Sequence, residues 1–286
     1  MKTIQWFPGH MAKAMRMMEE SLSLVDAVAI VLDARAPAAT FNRRLRDLAG
    51  NKPLLYILNK SDLADGGAEA IRSAIMSSGG KAVCVSATTG GSSRALVTAM
   101  QSLVAEKAAR EAEKGNRRAM RFLVAGVPNT GKSTVINLLS GTKRAVTGDK
   151  AGVTRGKQWV HCGAFDLMDT PGTMPPSFDD QRLARRLAFI GSVNDDTLEK
   201  DEIALELLGE LGEKYPELLR ERYGLTQFDD KVAMLEGVCR RRGMIVRGGE
   251  ADYDRGALAL IDDFRKGRLG RVCLDTVADA KEAGLA

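Results

Sequence analysis

Gly126-Val127-Pro128-Asn129-Thr130-Gly131-Lys132-Ser133 decides how this chain is read. Gly-x4-Gly-Lys-Ser is a phosphate-binding loop when it leaves a strand and opens a helix. Both flanks fit: an apolar run over 121–126 precedes it, and helical periodicity over 133–139 follows. Glycines let backbone N–H groups converge on phosphate oxygens, and a helix N-terminus adds positive potential. The expected contacts run through Asn129, Thr130, Gly131, Lys132, Ser133 and Thr134. Lys132 is expected to reach the β- and γ-phosphates and act catalytically there, and the Ser133 hydroxyl to ligate Mg2+. A chance glycine-rich turn is the bland alternative, and the strand–loop–helix context argues against it.

Downstream, Asp169-Thr170-Pro171-Gly172 follows an apolar run over 165–168. That is where a P-loop NTPase keeps the aspartate that reaches Mg2+, here through water. The Gly172 amide is expected to face the γ-phosphate, which makes the following segment a switch. Thr154, in Gly152-Val153-Thr154, lies between the two motifs. Its hydroxyl is the candidate to complete the Mg2+ shell during catalysis; an ordinary loop threonine is the alternative.

Upstream, Asn59-Lys60-Ser61-Asp62 ends an apolar run over 54–58. An aspartate at the Asp62 position accepts hydrogen bonds from guanine N1–H and its exocyclic amine, which adenine does not offer. Leaving such a buried acceptor unpaired is costly, and this is the basis of base discrimination. Lys60 would lie along the base, Asn59 would tie this loop to the phosphate loop, and Ser86-Ala87, after the run at 82–85, would offer an N–H to guanine O6. The base reader therefore precedes the phosphate loop. In an ordinary GTPase the order is the reverse, so the spacing predicts a circularly permuted GTP-binding domain that takes GTP and GDP.

Apolar runs alternating with helical stretches, and functional residues at run ends, predict an α/β fold with a doubly wound, mostly parallel sheet. After Pro175-Pro176 the texture changes. Leu205, Leu208, Leu211, Leu218 and Leu219 mark helical periodicity, so an all-helical domain is expected. The division is placed at 1–176 for the GTPase domain and 177–286 for the helical one. Met11, Met15, Met18 and Leu22 predict an amphipathic helix over 10–24, in which the methionines are core.

The charge is uneven. Residues 1–177 hold 24 Lys+Arg against 14 Asp+Glu, and residues 178–286 hold 18 against 23. A net +10 in the first part fits a polyanionic partner, whereas the −5 of the second fits one only through local clusters. Apolar stretches are too short to span a bilayer, Trp6-Phe7-Pro8-Gly9 interrupts any amphipathic leader, and no targeting segment is read. Four scattered cysteines and two histidines make a zinc site improbable and point to reduced thiols in a cytoplasmic protein. Neither a membrane nor DNA is an expected partner.

These residues carry a resemblance. Trp6-Phe7-Pro8-Gly9-His10-Met11, Asp33-Ala34-Arg35-x-Pro37, the 59–62 loop, Pro128 to Ser133, Asp169 to Gly172 and Phe264-Arg265-Lys266-Gly267-Arg268-Leu269-Gly270-Arg271 together resemble the ribosome biogenesis GTPase A family of circularly permuted GTPases. The resemblance implies a GTPase that acts in late assembly of the large ribosomal subunit, meeting its rRNA and ribosomal proteins, with release after hydrolysis. Generic GTPases place a Gln after the switch glycine to orient water; here Thr173 stands there. The resemblance offers His10 instead, as the water-positioning group; that His10 only caps the Pro-Gly turn and meets a partner is the open alternative. It also implies that Asn129 holds K+ beside the phosphates, so K+ joins Mg2+ as a second expected ion. Arg240, Arg241, Arg242, Arg265, Lys266 and Arg268 are the RNA-contacting candidates of the helical domain, against the alternative of solvated helix faces. A nucleotide-gated RNA or protein tether with negligible turnover is the competing function, and Thr173 motivates it.

Overall fold

The computed structural model describes residues 9–89, 91–116, 118–141, 158–175, 178 and 180–286. Thr154, the segment from Trp6 to Pro8 and the His10 side chain lie outside the described part.

Among the described residues six strands form one sheet: β1 (Ala27–Asp33), β2 (Leu54–Asn59), β3 (Ala82–Val85), β4 (Met120–Ala125), β5 (Gln158–Cys162) and β6 (Phe165–Asp169). Their order is β3-β2-β1-β4-β6-β5. All neighbours pair in parallel except the edge strand β5, which runs antiparallel to β6. Parallel strands need crossovers, which cover both faces with helices, and this is why the central strands read as unbroken apolar runs.

Alternation sorts the two faces. Val28, Ile30 and Leu32 join Ala14 and Met18 of α1 (Gly9–Ser21), Leu45 of α2 (Arg43–Ala49), and Ala68, Ile71 and Ile75 of α3 (Gly66–Ser77). Ala27, Ala29 and Val31 face Leu96, Met100 and Val104 of α4 (Ser93–Glu113), with Val135 and Ile136 of α5 (Lys132–Ser140). The first helix stops earlier than its periodicity predicts. Ser21 Oγ donates to the Met17 carbonyl four residues back at 2.6 Å, and a 3-10 turn at Leu22–Leu24 follows. Helix α2 starts at Arg43 because Asn42 caps it, its side chain accepting from Arg44 N at 3.0 Å.

Helices α6 (Gln181–Phe189), α7 (Lys200–Lys214), α8 (Pro216–Tyr223), α9 (Lys231–Arg241) and α10 (Tyr253–Arg265) build a second core. That core also takes in Ala36, Ala39, Val127 and Met174, which follow β1, β4 and β6. The helical body is therefore packed against the rim where those strands end. Beyond it the chain turns back. Val272 N donates to Leu63 O at 3.0 Å and Leu274 N to Arg35 O at 2.7 Å, and α11 (Val277–Glu282) lays Ala280 on the α3 side of the sheet. The last fifteen or so residues are thus part of the sheet's packing. Among the described residues no helix is long and apolar enough to cross a membrane.

One buried cation fastens the pieces. Arg186 of α6 donates from Nε to Glu210 at 2.8 Å, and from one terminal nitrogen to Asp275 at 2.8 Å and Asp279 at 3.1 Å. Asp275 in turn accepts from Ala39 N at 2.9 Å. Removing one partner of a buried pair leaves an uncompensated charge and costs about 3–5 kcal/mol. Arg186→Ala is therefore expected to lower the unfolding free energy by about that much, with Arg186→Lys losing less. Denaturant titration checks it; a loss under about 1 kcal/mol would place the fastening elsewhere.

Candidate functional site

Five strands end at one rim, and the chemistry predicted from sequence is gathered there. The loops after β2, β3, β4 and β6 carry Asn59 to Asp62, Ser86-Ala87, the phosphate loop, and Asp169 to Gly172. In doubly wound sheets, ligands sit where strand order reverses, outside the carboxyl ends. Here β1 is central, and its neighbours β2 and β4 bring the base-reading and phosphate loops to either side.

These two loops touch directly. Asn59 Nδ2 donates to Thr130 O at 2.9 Å, and Lys60 Nζ donates to Asn129 O at 2.6 Å. Asn59 Oδ1 accepts from Ala87 N at 3.2 Å, and Ser86 Oγ donates to Asp62 Oδ1 at 2.6 Å. Asn59 is buried between all three loops, with Ser61 and Asp62 partly open at the rim. Lys60 and Asn129 both adopt left-handed backbone, at φ 61° and 62°. Non-glycine residues are held there only where surroundings over-determine them, commonly at functional sites.

Beneath the loops lies Asp33, wholly buried at the end of β1. Its carboxylate accepts from Arg35 Nε at 2.9 Å and from a terminal Arg35 nitrogen at 2.8 Å, and pairs with Lys60 at 2.9 Å. Burial alone would push that carboxyl up; Arg35 and Lys60 outweigh it and hold the group well below the usual carboxylate range. Arg35 also donates to the carbonyls of Phe264 and Arg265 at the end of α10, at 3.3 and 3.1 Å. Sequence reading gave Asp33 and Arg35 no role. The signal was an apolar strand ending on a charged pair, which required a partner for both charges.

At the phosphate end, Lys132 is buried and its Nζ donates to Val127 O at 2.9 Å. Burial lowers its pKa; Asp169 opposes this and Lys60 adds to it, leaving the ammonium at about 8. Ser133 Oγ lies 2.7 Å from Asp169 Oδ2, so two hard oxygen donors meet at one point. Thr134 follows Ser133 in the first turn of α5, half-buried, and Gly131 caps that helix. Thr173 N donates to Gly126 O at 3.2 Å, and Asn42 Nδ2 to Thr173 O at 3.3 Å. The Thr173 hydroxyl is buried and has no hydrogen-bond partner among the described residues. A Cβ on Gly172 would stand 2.7 Å from Pro128 Cα, so only glycine lets this segment lie on the phosphate loop.

The basic candidates divide. Arg240, Arg241, Arg242, Lys266 and Arg268 are exposed. Arg242 lies 3.8 Å and Arg268 3.1 Å from the buried carboxylate of Asp263, which Arg222 also approaches at 3.0 Å. Asp263 thus joins the two clusters into one patch, in which Asp262 also pairs with Lys266 and Arg268, and Glu236 with Arg240. Arg222 was not foreseen. Arg265 departs from expectation: it is turned inward, donating to Ala188 O at 2.8 Å and Phe189 O at 3.0 Å and pairing with Asp195 at 2.6 Å. The helix-end carbonyls of α6 explain its direction, since a cation there complements the helix dipole.

Comparison with known proteins follows the same lines. Residues 121–214 match the family described as 50S ribosome-binding GTPase. The chain is 39% identical over 277 residues to ribosome biogenesis GTPase A of Bacillus cereus, covering 96% of this chain and 94% of that protein. It is 30% identical over 284 residues to the protein of that name from Thermotoga maritima, covering 96% and 95%. Among solved structures, GNP-bound YlqF from T. maritima aligns with TM-score 0.64 at 26% identity, covering 93% of this chain and 98% of that one.

Two outcomes are expected. Asp62→Asn should weaken guanine nucleotide binding and favour xanthine nucleotide; an unchanged preference would remove Asp62 from base reading. Lys132, with its pKa lowered to about 8, is charged below that pH and neutral above it. A bound phosphate favours the charged form, so GDP affinity should be level between about pH 7, where its terminal phosphate is ionised, and about pH 8, and fall by up to about tenfold per unit above that. Guanosine, which has no phosphate, controls for ionisation of the base itself, and equal pH profiles for the two would exclude Lys132 as the cause.

Proposed function

The chain belongs to the ribosome biogenesis GTPase A family, and on that premise we propose that it binds the precursor of the large ribosomal subunit in its GTP form and leaves after hydrolysis. It is a GTPase with a circularly permuted domain, and a ribosome assembly factor by family. The observation that carries the fuller reading is the junction of the base-reading and phosphate loops through Asn59–Thr130 and Lys60–Asn129. It supports one nucleotide spanning both loops. The switch at Gly172 then leads, through few residues, into the helical body that bears the arginine patch.

Under this reading Asp62, Ser86 and Ala87 read the base, with Asn59, Lys60 and Ser61 shaping that side. The phosphate loop from Asn129 to Thr134 and the Gly172 amide take the phosphates. The family uses Mg2+; Ser133 and, through water, Asp169 would hold it, and their 2.7 Å approach is consistent with a hard divalent cation. Such an ion neutralises charge on the leaving phosphates. Thr154 is proposed as its further ligand and Asn129 as the K+ ligand. His10 is proposed to orient the attacking water. The division into a GTPase domain at 1–176 and an RNA-contacting helical domain at 177–286 belongs to this reading, with residues 272–286 bracing the first. So does action in the cytoplasm.

RNA binding through Arg240, Arg241, Arg242, Lys266 and Arg268, with Arg222 beside them, is supported by the meeting of Arg222, Arg242 and Arg268 on Asp263, which brings the two basic runs together. Phosphate contacts of that kind make affinity fall steeply with salt. A tether with negligible turnover is the second reading. Thr173 favours it, since a buried hydroxyl at the usual Gln position does not orient a solvent molecule in this geometry.

Sedimentation with large subunits tests the first reading. Binding is expected with a GTP analogue and lost with GDP; equal binding in both states would end it. Turnover measured with subunits present separates the two readings, and His10→Ala should lower it about a hundredfold or more if the histidine acts in general catalysis. An unchanged rate would reject that role.

A further inference from the structure

Among the described residues two hydrogen bonds, one donated from each side, join the helical body directly to the phosphate loop. Ser192 Oγ, wholly buried, donates to Pro128 O at 2.6 Å, and Asn129 Nδ2 donates to Gly191 O at 2.5 Å. On its other side Pro128 is in contact range of Gly172. The tip of the phosphate loop is therefore held between the switch segment and the turn that ends α6.

That turn is rigid. Ser192 N donates to Leu187 O at 2.8 Å and Gly191 N to Ala188 O at 3.1 Å, the paired bonds that close a helix with a left-handed glycine, here at φ 78°. Arg265 donates to the same Ala188 carbonyl and takes up that of Phe189 as well, and Asp195 fixes its guanidinium from behind. A Cβ on Gly191 would stand 3.1 Å from the guanidinium carbon of Arg265, so the arginine lies flat on the turn. The Arg265 carbonyl accepts from Arg35, whose partner Asp33 pairs with Lys60 of the base-reading loop. Both ends of the nucleotide site thus rest on α6 and α10.

We infer that Ser192 is a positioning residue for the phosphate loop, with Gly191 and Arg265 as its support, so that the seating of the helical body sets how firmly the β- and γ-phosphates are gripped. Ser192 acts through the Pro128 carbonyl, and Arg265 acts through the turn. The inference rests on the GTP site alone and stands or falls apart from any ribosomal role. Linkage makes it reciprocal: whatever shifts α6 against the rim changes nucleotide affinity, and nucleotide changes affinity for that partner equally.

Ser192→Ala, in the full chain, tests it. Competition against a fluorescent GDP gives affinities for GDP, a GTP analogue and guanosine. The positioning role predicts a loss of about five- to tenfold for GDP and the analogue, in line with one buried hydrogen bond, and none for guanosine. Steady-state turnover should show the loss in KM, with kcat moved less. A purely structural role would lower the melting temperature while leaving the ratio of GDP to guanosine affinity as it was, and that outcome overturns the proposal. Arg265→Lys, which keeps the charge but not the fork, should weaken GDP in the same phosphate-dependent way. Unchanged GDP affinity together with weakened binding to large subunits would make Arg265 a surface contact and equally refute the inference.

Discussion

A buried carboxylate holds this architecture together. Asp33 sits at the end of the central strand, out of reach of water, where an unpaired charge is not tolerated. Its two oxygens are met by Arg35 and Lys60, and each of those cations is committed elsewhere as well. Lys60 crosses to the phosphate loop, and Arg35 crosses to the end of α10. Geometry that satisfies Asp33 therefore fixes the base reader, the phosphate loop and the helical body relative to one another. Buried ion pairs of this sort add little net stability, since desolvation offsets attraction. Their contribution here is specificity of placement.

The permuted order acquires its meaning from the same region. A parallel sheet gathers all its functional loops at one rim, so the order in which they are synthesised does not matter to the pocket. It matters to what comes next. The chain leaves the sheet at β6, next to β4 and its phosphate loop, and goes on to build α6, whose closing turn returns to that loop. Covalent continuity and hydrogen bonding thus converge on the same few residues. An ordinary connectivity would place the chain's exit elsewhere and lose the first of these two routes.

Much of this was legible in the sequence. The strands announce themselves as apolar runs because both faces of the sheet are covered, and the loops carry motifs whose spacing is dictated by phosphate and guanine chemistry. What was hidden depends on long-range pairing. Nothing near Arg265 in the chain indicates that its guanidinium closes α6, because the carbonyls it meets are more than seventy residues away. Read locally, it is one more cation in a basic run. Ser192 is invisible for the same reason, as is the return of the last residues to the sheet. Arg222 was missed because its partner Asp263 lies forty-one positions further on. Charge clusters in sequence report composition; which members face solvent is decided by carboxylates that fold in from elsewhere.

The brace formed by Val272, Leu274 and α11 has a bearing on how the protein comes into being. Leu63 and Arg35, the carbonyls it engages, stand directly behind the base-reading loop and the Asp33 pin. The residues that steady the base side of the pocket thus lie roughly two hundred positions further along the chain than the loop they back. Contacts of such wide sequence separation carry a loop-closure entropy that has to be met before they form, so the backing of the base side is a late partner to a sheet whose own neighbours close at shorter range.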